Sequence, residues 1–134
     1  MKSTGTLYYG QNSNYLVLNC CPELGKLYRS LFYLEVYKIR KIQRPLWGEH
    51  ITIIRNEDIS DKSLWNKYQD EVVEFEYIPP VEFNRYYFWI PVICPRFSEI
   101  RVELGLTPEP ICPYHVTIGN EVEKPPDYEI NPNY

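Results

Sequence analysis

The chain has 134 residues, 44% of them apolar and 24% charged, with a formal net charge of −4 at neutral pH. That length fits one domain and excludes a repeat array or a large multi-site enzyme. The apolar content excludes a disordered chain, and the acidic balance argues against a general binder of duplex DNA or long RNA, while leaving room for a small nucleotide in a local basic pocket.

Leu7–Tyr9 and Tyr15–Cys20 read as short strands separated by a polar turn. Pro22 opens a helix whose buried stripe is Leu24, Leu27, Tyr28, Leu31 and Leu34, at helical spacing. The basic stretch Lys38–Arg44 follows and Pro45 ends it; Trp47–Ile54 then reads as a strand by alternation and β-branched content. Asp61–Tyr68 reads as a short helix capped by Ser60 or Asp58, and Glu71–Tyr77 as a strand with one exposed side. After Pro79-Pro80, Tyr86–Ile93 is a buried aromatic strand, with a bend or bulge expected at Pro91. Its apolar run, Tyr86 to Cys94, is about half of the ~20 residues a bilayer span needs. Ser98 is expected to cap a brief helix through Leu104, with Gly105 as its C-terminal glycine. Pro108, Pro110 and Pro113 keep the chain extended into the strand Tyr114–Gly119.

This order predicts an α+β domain over residues 1–120, with helices on one face of largely antiparallel sheet and two similar halves around the two His-containing strands. The tail, 121–134, has no periodic pattern and reads either as a disordered end or as a lid over a site. Cys20, Cys21, Cys94 and Cys112 form no disulfide framework, and neither histidine has a second metal-type ligand at the usual spacing. No metal and no cofactor are expected. The first residues lack the apolar core of a signal peptide, so the expected location is cytoplasmic, with no membrane partner. Thirteen tyrosines and three tryptophans serve two readings equally: half-buried strand residues, or a concave aromatic surface suited to a nucleobase.

The sharpest signal is a repeated tetrapeptide. The only two histidines begin His50-Ile51-Thr52-Ile53 and His115-Val116-Thr117-Ile118. Threonine occurs five times in all, so its presence two places after both histidines is a coincidence on the order of one in a thousand, which answers the usual doubt about short motifs. On a strand, residues i and i+2 share a face. His50 and Thr52 therefore point one way and Ile51 and Ile53 the other, and the same holds around His115 and Thr117. If the two strands lie side by side, two imidazoles and two hydroxyls meet at one groove. Imidazoles near their ordinary pKa of about 6.5 serve as base and acid in one turnover, and the hydroxyls can donate to the non-bridging oxygens of a phosphate.

Paired H-x-T-h motifs (h apolar) about half a chain apart resemble the 2H phosphoesterase superfamily. The flanking text narrows the likeness: Leu24-Gly25, Leu27-Tyr28-Arg29-Ser30, Trp47-Gly48-Glu49 before His50, Glu103-Leu104-Gly105-Leu106, and Gly119-Asn120 after Ile118 are similar to phage anti-CBASS nucleases. The resemblance covers roughly residues 7–120. It implies a bilobal fold of two pseudo-symmetric antiparallel sheets with outer helices flanking a central cleft, each motif on a central strand facing it. It implies further a metal-independent phosphodiesterase that degrades cyclic di- and trinucleotide signals made by infected bacteria, acting in the host cytoplasm. It also implies an N-terminal tyrosine stacked on a base, for which Tyr9 is the choice and Tyr15 the alternative. A C-terminal segment that closes the site would have to draw its stacking from Tyr128 or Tyr134.

The expected chemistry follows from a 3′–5′ ribonucleotide linkage. One histidine takes the proton of the 2′-hydroxyl, which attacks phosphorus, and the other protonates the departing 5′-oxygen. Thr52 and Thr117 hold the phosphate oxygens, and the sequence leaves open which histidine is base. The same site also suits RNA ends or 2′,3′-cyclic phosphates, or a sponge that binds a cyclic nucleotide without cutting it. Arg29, Arg44, Arg85 and Arg96 read first as solvated surface charges and only second as anion-steering groups. Trp47 and Trp89 read as core, and Glu49 faces away from His50.

Overall fold

A computed structural model describes residues 1–10, 13–35, 42–45, 48–84 and 86–121. Its strands are β1 (Lys2–Tyr9), β2 (Tyr15–Cys20), β3 (Ile42–Gln43), β4 (His50–Arg55), β5 (Val72–Tyr77), β6 (Glu82–Phe83), β7 (Tyr87–Ile93) and β8 (His115–Glu121), and its helices are α1 (Pro22–Glu35) and α2 (Pro95–Glu103). Alternation sets the two faces of the long strands. Leu7, Leu16, Leu18, Ile51, Ile53, Phe75, Ile90 and Val116 are buried in one core, and alternation turns most of their sequence neighbours outward, Ile54 after Ile53 being an exception.

The strands run antiparallel in the order β8–β4–β2–β1–β5–β7. β7 then pairs with β8 from Tyr87↔Asn120 to Pro91↔His115. That last ladder closes the six strands into an antiparallel barrel, with β3 added beside β8 and β6 beside β7. Closure leaves no free edge among these six strands. The bilobal α+β arrangement of two pseudo-symmetric sheets is therefore corrected: the chain forms one mostly-β barrel, and the two His strands are neighbours within it. Alternation tells which face of a strand is buried, but it does not tell that β8 finds a partner on both edges.

The helices meet opposite ends of β4. Arg29 of α1 reaches Glu49 and the Ile118 carbonyl, whereas the fully buried Arg101 of α2 donates to the Ile53 carbonyl and grips both Glu57 oxygens at 2.7 and 2.8 Å. Further local expectations are corrected. The helix expected over Asp61–Tyr68 is a single 3₁₀ turn, Lys62–Leu64, capped by the Asp61 side chain. Trp65 is extended and Asn66 adopts positive φ, which a right-handed helix does not admit. α2 begins three residues before the expected Ser98, with Cys94 at the cap position and Pro95 in the first turn. The β7 irregularity falls between Phe88 and Trp89 rather than at Pro91. Among the described residues no helix is long and apolar enough to cross a membrane. Of the tail, Glu121 is the last residue of β8; residues 122–134, including Tyr128 and Tyr134, lie outside the described residues, as do Trp47 and Arg85.

Candidate active site

β4 and β8 carry the two motifs, and their pairing is centred on Ile51↔Val116. Carrying that antiparallel register one residue each way sets His50 across from Thr117 and Thr52 across from His115. Each histidine thus has the other motif's threonine as its cross-strand neighbour, at the roughly 5 Å usual between opposed Cβ atoms. The two imidazoles are diagonal neighbours, about 7–8 Å apart at the backbone. Ile51 and Val116 are fully buried beneath them.

The rows continue around the barrel. Asn19 flanks His50 and Val17 flanks Thr52 on β2, with Tyr8 beyond Val17 on β1. On the other side Trp89 flanks Thr117 and Pro91 flanks His115. The result is an outward-facing groove with three confluent hollows. The first, about 530 Å³, is lined by Tyr8, Tyr15, Asn19, His50, Thr52 and Arg55. The second, about 260 Å³, shares Thr52 and Arg55 with the first and adds Cys112 and His115. The third, about 250 Å³, runs from His115 and Thr117 to Trp89, Tyr87 and Glu82. A larger hollow of about 850 Å³ lies along α2, beside Ser98, Glu99 and Val102, and contains no motif residue.

Both rings are held the same way. His50 Nδ1–H donates to the Gly48 carbonyl at 3.0 Å, and His115 Nδ1–H donates to the Pro113 carbonyl at 2.9 Å. A carbonyl only accepts, so each bond assigns the Nδ1 proton and leaves Nε2 to take or give a proton. In both motifs the partner is the carbonyl of residue i−2, although the chain enters β4 through Gly48 at positive φ. Burial pushes His115 below the ordinary histidine value; the Pro113 carbonyl opposes this, and the nearby charge of His50 adds to it. The Cys112 thiol lies 4.0 Å from His115 Nδ1, and burial pushes it up.

Glu49 faces away from His50, as alternation requires, and its side chain is wholly buried. Arg29 Nη1 donates to Glu49 Oε1 at 2.6 Å and to the Ile118 carbonyl at 2.7 Å. Arg44 approaches Glu49 Oε2 at 3.4 Å. Neither arginine lines the groove. Arg96 pairs with Glu71 and Glu99 and lies over the Tyr68 ring.

The expected stacking residues divide. Tyr15 lines the largest of the three groove hollows, and its hydroxyl accepts from Asn56 at 3.3 Å. Tyr9 does not reach the groove: it is fully buried, edge-on to Trp65 at 4.7 Å between ring centres. Leu7 is inside the barrel, so Tyr9, two residues on, is inside as well. Tyr8 takes the outward place, and the same alternation read from Leu7 would have found it. Trp89, read as core, is half-buried and lines the groove, with its indole N–H donating to Glu82 at 3.0 Å. Arg55 carried no signal in the local pattern.

No protein-family model, curated protein or solved structure gives a significant match to the chain.

Proposed function

We propose that this groove is a metal-independent phosphodiesterase site acting on 3′–5′ linked cyclic di- or trinucleotides. The observation that carries the reading is the diagonal pair His50 and His115, each with Nδ1 bound to its own i−2 carbonyl and each set across from the other motif's threonine by the Ile51↔Val116 register. Base, acid and two phosphate-oxygen donors then surround one point.

In the reaction, Nε2 of the neutral ring takes the 2′-hydroxyl proton and the 2′-oxygen bonds to phosphorus. The P–O5′ bond breaks, and Nε2–H of the protonated ring delivers its proton to O5′. The products are a 2′,3′-cyclic phosphate and a 5′-hydroxyl, and water can open the former with the roles reversed. Thr52 and Thr117 donate to the non-bridging oxygens as charge builds on them. The burial of His115 favours its neutral form, which gives it the role of base and His50 that of acid. Aromatic walls on both sides, Tyr8 and Tyr15 at one end and Trp89 at the other, suit a nucleoside on each side of the scissile phosphate. In a bacterial cell such an activity would remove an infection signal, the role of the phage anti-CBASS nucleases that the motifs resemble.

The test incubates the protein with cyclic di- and trinucleotides in excess EDTA and resolves the products by mass spectrometry. Ring-opened nucleotides are expected from the ribo form and none from its 2′-deoxy counterpart. Recovery of intact ribo ligand would leave only a binding protein, and cleavage of the deoxy form would remove the 2′-hydroxyl mechanism.

A further inference from the structure

Strict alternation along β4 would put His50, Thr52 and Ile54 outward and bury Arg55. The ladder departs from this: Val17 pairs with Thr52 and Leu16 with Ile54, so Ile53 is the extra residue of a bulge. Ile53 and Ile54 both enter the core, at 1% and 0% exposure, and Arg55 emerges opposite Tyr15 on the groove side. Bulges commonly re-aim a side chain in this way beside active sites. Arg55 lies three residues, about 10 Å, along the strand from Thr52, yet it lines the same two hollows as Thr52 does. Burial pushes the Cys112 thiol and the Tyr87 hydroxyl up, and the charge of Arg55 works against that at both. Its field therefore spans the groove to the wall beyond His115.

We propose that Arg55 holds a second phosphate, separate from the one gripped by Thr52 and Thr117, so that the groove selects substrates with at least two phosphodiesters over a linear dinucleoside monophosphate. A guanidinium presents a planar fork that matches two phosphate oxygens. The inference rests on the phosphodiesterase reading and narrows its substrate class: a cyclic di- or trinucleotide carries a non-scissile phosphate, and a linear dinucleoside monophosphate has none.

The experiment measures equilibrium binding of two uncleavable 2′-deoxy probes, a 3′–5′ cyclic dinucleotide and a linear 3′–5′ dinucleoside monophosphate, to wild type, Arg55→Gln and Arg55→Lys. Arg55→Gln is expected to weaken the cyclic probe by about ten- to a hundredfold, the worth of a charge-assisted contact, and the linear probe by less than about twofold on the same scale. Arg55→Lys should fall between wild type and Arg55→Gln for the cyclic probe. Equal weakening of both probes, as a structural role would give, or no change in either, overturns the assignment of Arg55. Turnover of the cyclic ribonucleotide by wild type is read alongside. Its absence removes the phosphodiesterase reading, whereas its presence with an unchanged cyclic preference in Arg55→Gln removes only the second-phosphate site.

Discussion

His50 and His115 share a hydrogen-bonding pattern, and both are half-buried. Burial favours the neutral form of His115, and a general base must be neutral to act. The acid limb of kcat/KM should therefore fall below pH 6.5; a limb at or above that value would remove His115 as the base. The same shift bears on stability. Because the unfolded chain binds the proton more readily, stability is fully present above about pH 6.5 and is lost as the pH falls through the lower folded value. Replacing His115 with Asn should lessen that loss, which urea titrations at pH 7 and pH 5 would show. The hydroxyls are tested by Thr52→Val and Thr117→Val, which keep shape and remove the donor. Each is expected to lower kcat by about a hundred- to a thousandfold, as for other groups that stabilise developing negative charge, with the fold intact by circular dichroism.

α1 ties the two His strands together at one end of the barrel. One guanidinium, Arg29, binds both the buried Glu49 carboxylate beside His50 and the carbonyl of Ile118 beside Thr117. Ile118 is the extra β8 residue where Thr117 pairs with Trp89 and Gly119 with Phe88. Arg29→Ala would leave Glu49 buried without this partner and should cost about 3–5 kcal/mol, read as a shift in the denaturant midpoint. Gly25 shows the other side of the same contact. Gly to Ala inside a helix ordinarily stabilises by about 0.5–1 kcal/mol, but here a methyl would strike the Glu49 carboxylate and the Arg29 guanidinium. Gly25→Ala is expected to destabilise, and a raised melting temperature would contradict the placement of Glu49 against α1. The sequence shows Leu24-Gly25 and Arg29 plainly; what it lacks is that Glu49, 20 residues beyond Arg29, folds back under the helix.

The described residues form one closed sheet around one core, so the protein should unfold in one step. Tryptophan fluorescence and far-ultraviolet circular dichroism are expected to give coincident urea transitions; two separated transitions would restore a two-lobed architecture. The closing ladder is the sensitive place. Phe88 is fully buried on β7 at its pairing with β8, and Phe88→Ala should cost about 3–5 kcal/mol, acting on both His strands at once because β8 pairs with β4 as well as with β7. Most long strands were legible from alternation, and Tyr15–Cys20 falls where the pattern put it. The two-residue strands β3 and β6 were not, because a period of two cannot be seen in two residues. Two similar halves in sequence are compatible both with two sheets, as the resemblance implies, and with one barrel, so the pattern by itself does not separate them.

Which groups do the proposed chemistry, and that each imidazole shares a face with its own threonine, followed from the sequence alone, because side-chain direction along a strand is set by the local backbone. Three things belonged to the tertiary structure. The β4–β8 register crosses each histidine with the other threonine, the β2–β4 bulge turns Arg55 into the groove, and the β7–β8 ladder closes the barrel. All three depend on which distant backbone donors and acceptors meet, and on the packing of apolar residues between strands far apart in the chain. A two-residue alternation carries no record of such meetings.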